Sequence, residues 1–161
     1  MTALTHSEKI QQVEAMCAHI THGALQGIRL EKVEGEELTL RLPYRPELVG
    51  NPDTGVIHGG ALTVLLDQTL GIAGLCCDRV GNVVTATLDL RLDHLGIAPA
   101  GCDILASARV YRTTRRILFV EGIAYTDSRD NPVARATGSW MLRGEFWPRG
   151  TPESKGGDDA P

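Results

Sequence analysis

Asn51-Pro-Asp-Thr-Gly-Val-Ile-His58-Gly59-Gly60-Ala-Leu-Thr-Val-Leu-Leu-Asp67 is the stretch on which the rest of the chain turns. Between Asp53 and Asp78 the only charged side chain is Asp67, set among Leu, Val, Ile, Ala, Gly, Thr and Cys. A carboxylate in an apolar helix is costly to bury unless it has partners or a task. The spacing predicts a helix from about Gly59 to Asp78, apolar nearly all the way round and therefore wrapped by the rest of the protein. His58 and two glycines stand where that helix begins. The first turn of a helix leaves N–H groups without partners, and Gly lets a ligand approach them.

Working outward, Ser7 to about Thr21 reads as a helix capped by Ser7, ended by His22-Gly-Ala-Leu-Gln-Gly. Ile28–Val33 and Leu38–Leu42 read as strands joined by the turn Glu34-Gly35-Glu36. In the second, Leu38, Leu40 and Leu42 alternate with Thr39 and Arg41, which predicts one buried and one wet face. Pro43 to Thr54 is a turn-rich linker. After the long helix come four strand-like runs, Val84–Asp93, Ile104–Arg112, Ile117–Thr126 and Val133–Leu142. In the first of these Ala86, Leu88, Leu90 and Leu92 share one face; Thr85, Thr87, Asp89, Arg91 and Asp93 share the other. Strands gathered around one apolar helix argue an α+β fold with a mostly antiparallel sheet. Residues 1–143 are expected to form a single domain, with a flexible Gly-, Pro- and charge-rich tail over 144–161.

Composition narrows the function. With 161 residues, 42% hydrophobic and 22% charged, the chain has room for one real core. A net charge of −4 offers no electrostatic footing for nucleic acid or an anionic membrane surface. Cys17, Cys76, Cys77 and Cys102 show no CxxC spacing and read as reduced thiols of a cytoplasmic protein. The N-terminus has no signal-peptide pattern, and Asp67 in mid-helix argues against a membrane span. His6, His19, His22 and His94 lack metal-ligand spacing, so neither a metal nor another cofactor is expected.

The chemistry that fits is acyl transfer. A desolvated Asp67 has a raised pKa and serves as general base or nucleophile; its bland alternative is a buried carboxylate that caps a neighbouring turn or pairs with an arginine such as Arg91. The N–H of Gly59 or Gly60 can bind a carbonyl oxygen as it gains charge. Asp67 lies eight residues after Gly59, roughly 12 Å along a helix. Both must lie about 3 Å from the reacting groups, so one helix cannot supply both to one thioester. If both act, two copies of the chain share each site, which predicts a homodimer with antiparallel helices. His58, without a Ser or Cys nucleophile signature, fits a positioning role. Thr85 or Thr87 could hold a water against Asp67. Arg112, Arg115 and Arg116 ring a hairpin end and could meet the phosphates of a nucleotide-bearing carrier.

His58-Gly59-Gly60, six residues, Asp67, and then Val84-Thr-Ala-Thr-Leu-Asp-Leu-Arg-Leu together resemble the PaaI-like, acyl-CoA thioesterase 13-like group of hotdog-fold thioesterases. The resemblance runs from about Gly27 to Leu142. It implies a hotdog fold, a curved antiparallel sheet wrapped around a long central helix, paired into dimers and often tetramers, with metal-free sites at the dimer interface. Carried over residue by residue, it implies Asp67 as base or nucleophile and Gly59 as the oxyanion donor, followed by Gly60. The Ser/Thr of the next strand falls on Thr87, with Thr85 beside it, and the basic residues that approach coenzyme A fall near Arg115 and Arg116. An Asn six residues before the His is common in that group; here Pro52 holds that place and Asn51 sits one earlier. The expected activity is hydrolysis of acyl-CoA to free acid and CoA. Its rivals are a non-catalytic acyl-CoA-binding or regulatory hotdog protein and a hotdog dehydratase, whose Asp and His are usually spaced differently.

Overall fold

The computed structural model describes residues 4–80 and 84–142, excluding the side chains of Val84 and Thr85; the expected tail over 144–161 lies outside the described residues. Chain order is α1 (His6–His19), α2 (Thr21–Leu25), β1 (Arg29–Glu34), β2 (Glu37–Leu42), β3 (Val49–Asn51), β4 (Val56–Ile57), α3 (Gly59–Ile72), β5 (Val84–His94), β6 (Ile104–Thr113), β7 (Ile117–Tyr125) and β8 (Ala134–Leu142). Six strands form one antiparallel sheet in the order β1-β2-β6-β7-β8-β5. The sheet curls around α3, as the hotdog resemblance implies.

α3 is central because nearly every side of it is apolar. Leu65, Leu66 and Leu70 are fully buried. Across the sheet the residues beneath are small: Ala106 pairs with Ala124, Ala108 with Gly122, Gly122 with Ala136 and Val120 with Gly138. This Ala/Gly floor lets the helix settle close to the strands. At Gly122 an added Cβ would lie 2.7 Å from Leu70 Cδ1 and 2.8 Å from the Ser107 carbonyl. By length and composition Gly59–Cys76 could cross a membrane, yet 67% of it is buried inside the protein, as expected of a core helix.

Four local expectations are corrected. The cap of α1 is Thr5, not Ser7: Thr5 Oγ1 accepts from Glu8 N–H at 3.3 Å, and Glu8 Oε2 accepts from Thr5 N–H at 2.8 Å. Thr5-x-x-Glu8 is a capping box, and the second hydrogen bond outweighs a lone Ser7 cap. α1 stops at His19, and Thr21–Leu25 turns helical again before Gly27, at φ +80°, ends it. α3 stops at Ile72 and tightens into a 3-10 turn over Ala73–Cys76 instead of reaching Asp78. Thr39 is only 1% exposed, although its alternation placed it on a wet face. Its hydroxyl hydrogen-bonds the Ser107 hydroxyl at 2.8 Å, which in turn hydrogen-bonds Tyr125 Oη at 3.1 Å. Arg129, ninety-two residues away, reaches over the same face to grip Glu37 at 2.6 and 2.8 Å.

The linker before α3 also carries structure. A 3-10 turn at Pro46–Leu48 and the β3–β4 hairpin fill it. Tyr44 pins the hairpin, its hydroxyl donating to the Gly55 carbonyl at 2.8 Å and its N–H to Asp103 at 2.8 Å.

Gly138 is the tightest point of the floor: a Cβ there would stand 2.5 Å from the Asp89 carbonyl and 2.7 Å from the Trp140 ring. Gly138→Ala is therefore expected to destabilise the protein by about 1–3 kcal/mol through overpacking. Urea unfolding checks this by a lower midpoint at an unchanged slope.

Candidate active site

The β3–β4 hairpin delivers His58 to the start of α3. Its N–H donates to the Leu48 carbonyl at 2.8 Å. Its backbone is extended (φ −62°, ψ 135°), and its side chain caps the helix, Nδ1 accepting from Gly60 N–H at 2.9 Å. An accepting Nδ1 leaves the proton of the neutral ring on Nε2. The two flanking glycines make room for this ring. A Cβ on Gly60 would lie 2.8 Å from Nδ1, and one on Gly50 would lie 2.9 Å from His58 Cβ. His58 is thus the N-cap of α3.

The cap distinguishes the two glycines. Gly60 N–H is taken by His58, whereas Gly59 N–H has no hydrogen-bond partner among the described residues. Gly59 N–H opens the helix, where the positive end of the helix dipole adds to its pull on an anion. His94, at the end of β5, stands beside it, its Cε1 3.4 Å from the place of a Gly59 Cβ. Strand counting did not single out His94.

About two turns along α3, Asp67 Oδ1 accepts a hydrogen bond from Thr87 Oγ1 at 2.9 Å. The sequence alternation set Thr87 on the opposite face from Ala86, Leu88 and Leu90. The pairing of β5 with β8 explains the reversal: Thr87 pairs with Trp140 and Asp89 with Ser139, so Leu88 is an extra residue in the ladder. The bulge shifts the phase of the strand. It turns Thr87 to the helix, with Leu90 opposite Gly138 and His94 opposite Ala134, and leaves Leu88 47% exposed. Asp67 is half-buried rather than fully desolvated, because it opens onto a cleft of about 270 Å³. Ile20, Ile72, Gln68, Thr87 and Trp140 are among the residues lining it. Gly71 admits the Trp140 indole, whose Nε1 is 3.1 Å from where a Cβ would be. Arg91 is not the partner of Asp67; it pairs with Asp93 at 3.1 Å.

The remaining expected residues lie farther out. The Asn51 side chain accepts from Asp53 N–H at 3.0 Å, and its carbonyl receives Gly55 N–H at 2.9 Å, so it shapes the hairpin turn. Thr85 lies in β5, with its side chain outside the described residues. Arg115 and Arg116 are exposed in the β6–β7 turn. The Arg116 carbonyl accepts from Leu142 N–H at 2.8 Å, and Leu118 pairs with Trp140, which in turn pairs with Thr87. The basic turn therefore stands at the same end of the sheet as Thr87. Burial pushes the Cys17 and Cys76 thiols up to about 11, so both stay protonated at neutral pH and neither is a nucleophile. Among the described residues no group of three His, Cys, Asp or Glu could hold a metal.

A single antiparallel sheet curled on a His-capped helix is the hotdog fold. A sequence profile described as the thioesterase superfamily matches residues 54–133. The medium/long-chain acyl-CoA thioesterase YigI of Escherichia coli K12 is 26% identical over 157 residues, covering 86% of this chain and 97% of that protein. A crystal structure of a Pseudomonas aeruginosa protein is 35% identical, covers 84% of this chain and 99% of its own, and superposes with a TM-score of 0.76. Zebrafish thioesterase superfamily member 2 shares the fold, with a TM-score of 0.71 at 20% identity over 88% of this chain and all (100%) of its own. The chain belongs to the thioesterase superfamily.

The His58 cap makes a stability prediction. His58→Ala is expected to cost about 0.5–2 kcal/mol by stripping Gly60 N–H of its acceptor, while His58→Asn, itself a good cap, should recover most of the loss. Denaturation midpoints of the three proteins decide it.

Proposed function

We propose that the chain hydrolyses acyl-CoA thioesters to free acid and CoA. The single observation that carries this reading is the Asp67 carboxylate, fixed by Thr87 at the wall of an apolar cleft, on the helix whose first N–H is unpartnered. Its similarity to an enzyme named as an acyl-CoA thioesterase supports the choice of carrier. In this reading the acyl chain enters the cleft. Asp67 takes a proton from water, the hydroxide adds to the thioester carbonyl, and Gly59 N–H holds the developing oxyanion. Collapse breaks the C–S bond, and the proton on Asp67 passes to the departing thiolate. Thr87 occupies Oδ1 and leaves Oδ2 for the water. Direct attack by Asp67 to form a mixed anhydride uses the same atoms. Single turnover in oxygen-18 water identifies the anhydride route when label enters the Asp67 carboxylate, as it does where water attacks the Asp67 carbonyl of the anhydride.

We further propose that each site combines Asp67 of one protomer with Gly59 of its partner, for the reason of helix rise given above. β5 is the support for this. It ends the strand order, and Leu88, Leu95 and Ile97 are exposed along or just beyond it. An exposed strand edge with apolar side chains invites a second copy. A twofold axis at that edge, perpendicular to β5 and to the sheet, would set two α3 helices side by side and antiparallel. Arg115 and Arg116, at the Thr87 end of the sheet, are proposed to meet the phosphates of CoA. Four free cysteines are in keeping with a cytoplasmic location. Asp67 and Thr87 together favour an enzyme over a non-catalytic acyl-CoA binder.

Two variants test the assignment. Asp67→Asn is expected to fold and to lose about 100-fold or more in turnover of acyl-CoA, read by thiol release. Gly59→Pro removes the N–H at a helix position that favours proline, after a residue already extended, and should cost about 100- to 1,000-fold with the helix intact. Mixed dimers of the two contain one intact site if sites are shared, so activity should return on mixing. Mixed dimers that form and stay inactive would overturn site sharing; full activity in Asp67→Asn would overturn the thioesterase assignment.

A further inference from the structure

The polar groups at the start of α3 are mostly spent. Gly60 N–H donates to His58 Nδ1 at 2.9 Å, Ala61 N–H to the His58 carbonyl at 3.0 Å, and Thr63 Oγ1 to the Gly59 carbonyl at 3.1 Å. The His58 ring is wedged in its cap: a Cβ on Gly50 would meet its Cδ2 at 3.0 Å, and one on Gly60 its Nδ1 at 2.8 Å. What remains beside the free N–H of Gly59 is the exposed His94, whose ring makes no hydrogen bond to another described residue. His94 closes β5. After the bulge the helix-facing residues of that strand are Leu90, Leu92 and His94, opposite Gly138, Ala136 and Ala134. The two leucines pack on the core. A third aliphatic residue would continue that run, yet the position holds an imidazole. One strand thus carries a polar side chain to each of the two reactive groups of α3, Thr87 to Asp67 and His94 to Gly59.

The His94 ring turns its Nε2 edge to the helix start. Cε1 and Nε2 stand 3.4 and 3.7 Å from where a Gly59 Cβ would be. Outside the helix backbone and the two chain neighbours of Gly59, no other described atom comes within 4 Å of that place, so the space before the N–H is open. The nitrogen of a residue lies about 2.5 Å from its own Cβ position, which puts Nε2 within about 6 Å of Gly59 N. Two donors that each approach one oxygen to about 3 Å can stand up to about 6 Å apart. A carbonyl oxygen has two lone pairs, and a single backbone N–H occupies one of them.

We propose that His94 is a catalytic residue, its Nε2–H the second donor to the thioester carbonyl oxygen. With Gly59 N–H it completes a two-donor oxyanion hole. This inference rests on the thioesterase reading. His94 keeps its proton throughout: its hydrogen bond strengthens as charge gathers on the oxygen and relaxes when the C–S bond breaks and the carbonyl re-forms, while the proton for the departing thiolate still comes from Asp67. A bond that strengthens only as charge develops acts on kcat rather than on substrate binding.

The test measures kcat and KM for one acyl-CoA by thiol release in the wild type, His94→Phe, His94→Ala and His94→Gln, with their melting temperatures. Phe keeps a planar ring without a donor, Ala leaves no ring to misfit, and the Gln amide nitrogen can stand in for Nε2. His94→Phe is expected to lose about 100-fold in kcat and His94→Ala at least about 10-fold, each with KM within about twofold of the wild type. His94→Gln is expected to recover at least about 10-fold over His94→Phe. Melting temperatures are expected to stay put, since His94 is exposed. Wild-type kcat in either His94→Phe or His94→Ala overturns the inference. So does a loss confined to KM, or one that His94→Gln fails to relieve. If Asp67→Asn is inactive in the same assay, each of those results leaves the thioesterase reading standing without His94. No turnover by the wild type overturns both readings.

Discussion

The contact between α3 and the Ala/Gly floor of the sheet is the constraint on which the rest depends. Ala106, Ala108, Ala124, Ala134 and Ala136 are all buried, with the buried Gly138 and the half-buried Gly122 between them. Side chains this small let backbone and helix approach closely, and the leucines of α3 then bury fully against the strands. Each large side chain so buried contributes about 1.5–3 kcal/mol. The approach also fixes the helix in depth and rotation. Once Leu65, Leu66 and Leu70 face the floor, Asp67 has to face β5 and the cleft.

That rotation would achieve little without two backbone devices. The first is the β3–β4 hairpin, held by Tyr44, which sets His58 as the cap and so decides that Gly59, not Gly60, keeps a free N–H. The second is the bulge at Leu88. Without it the regular alternation of β5 would carry Thr87 away from the helix and put Leu88 in its place. A carboxylate facing Leu88 would lack its hydrogen bond. One inserted residue thus converts an apolar wall into a polar partner for Asp67, at the expense of an exposed leucine on the strand edge.

The sequence made legible whatever depends on long apolar runs and local spacing. The core helix, six principal strands, the placing of His58 at the helix start and the isolation of Asp67 among apolar residues follow from residues close together in the chain. What stayed hidden depends on partners far away. Thr39 looks wet until Arg129, Tyr125 and Ser107 close over it. Thr87 looks outward until the register with β8 is known. The fuller capping box of Thr5 and Glu8 was readable, but Ser7 lies nearer the start of the apolar pattern and competes for the role. The engagement of Gly60 with His58 turns on ring orientation, which no spacing encodes. The half-burial of Asp67 likewise follows from the shape of a cleft built by four separated segments.

Three consecutive polar residues on α3 show how structural and functional polarity can be told apart. Asp67, Gln68 and Thr69 are each about 100° from the next around the helix, so each meets a different environment. Thr69 is fully buried and returns its hydroxyl to the Leu65 carbonyl at 2.6 Å, a bond within its own helix that asks for nothing else. Asp67 has one oxygen on Thr87 and the rest of its capacity turned to open space. Gln68 is buried, its carboxamide covered by α2 at Gly23 and beside the Cys17 thiol. A polar group satisfied inside the chain needs no ligand to account for it. One satisfied only in part, and open to a cleft, keeps capacity for a ligand.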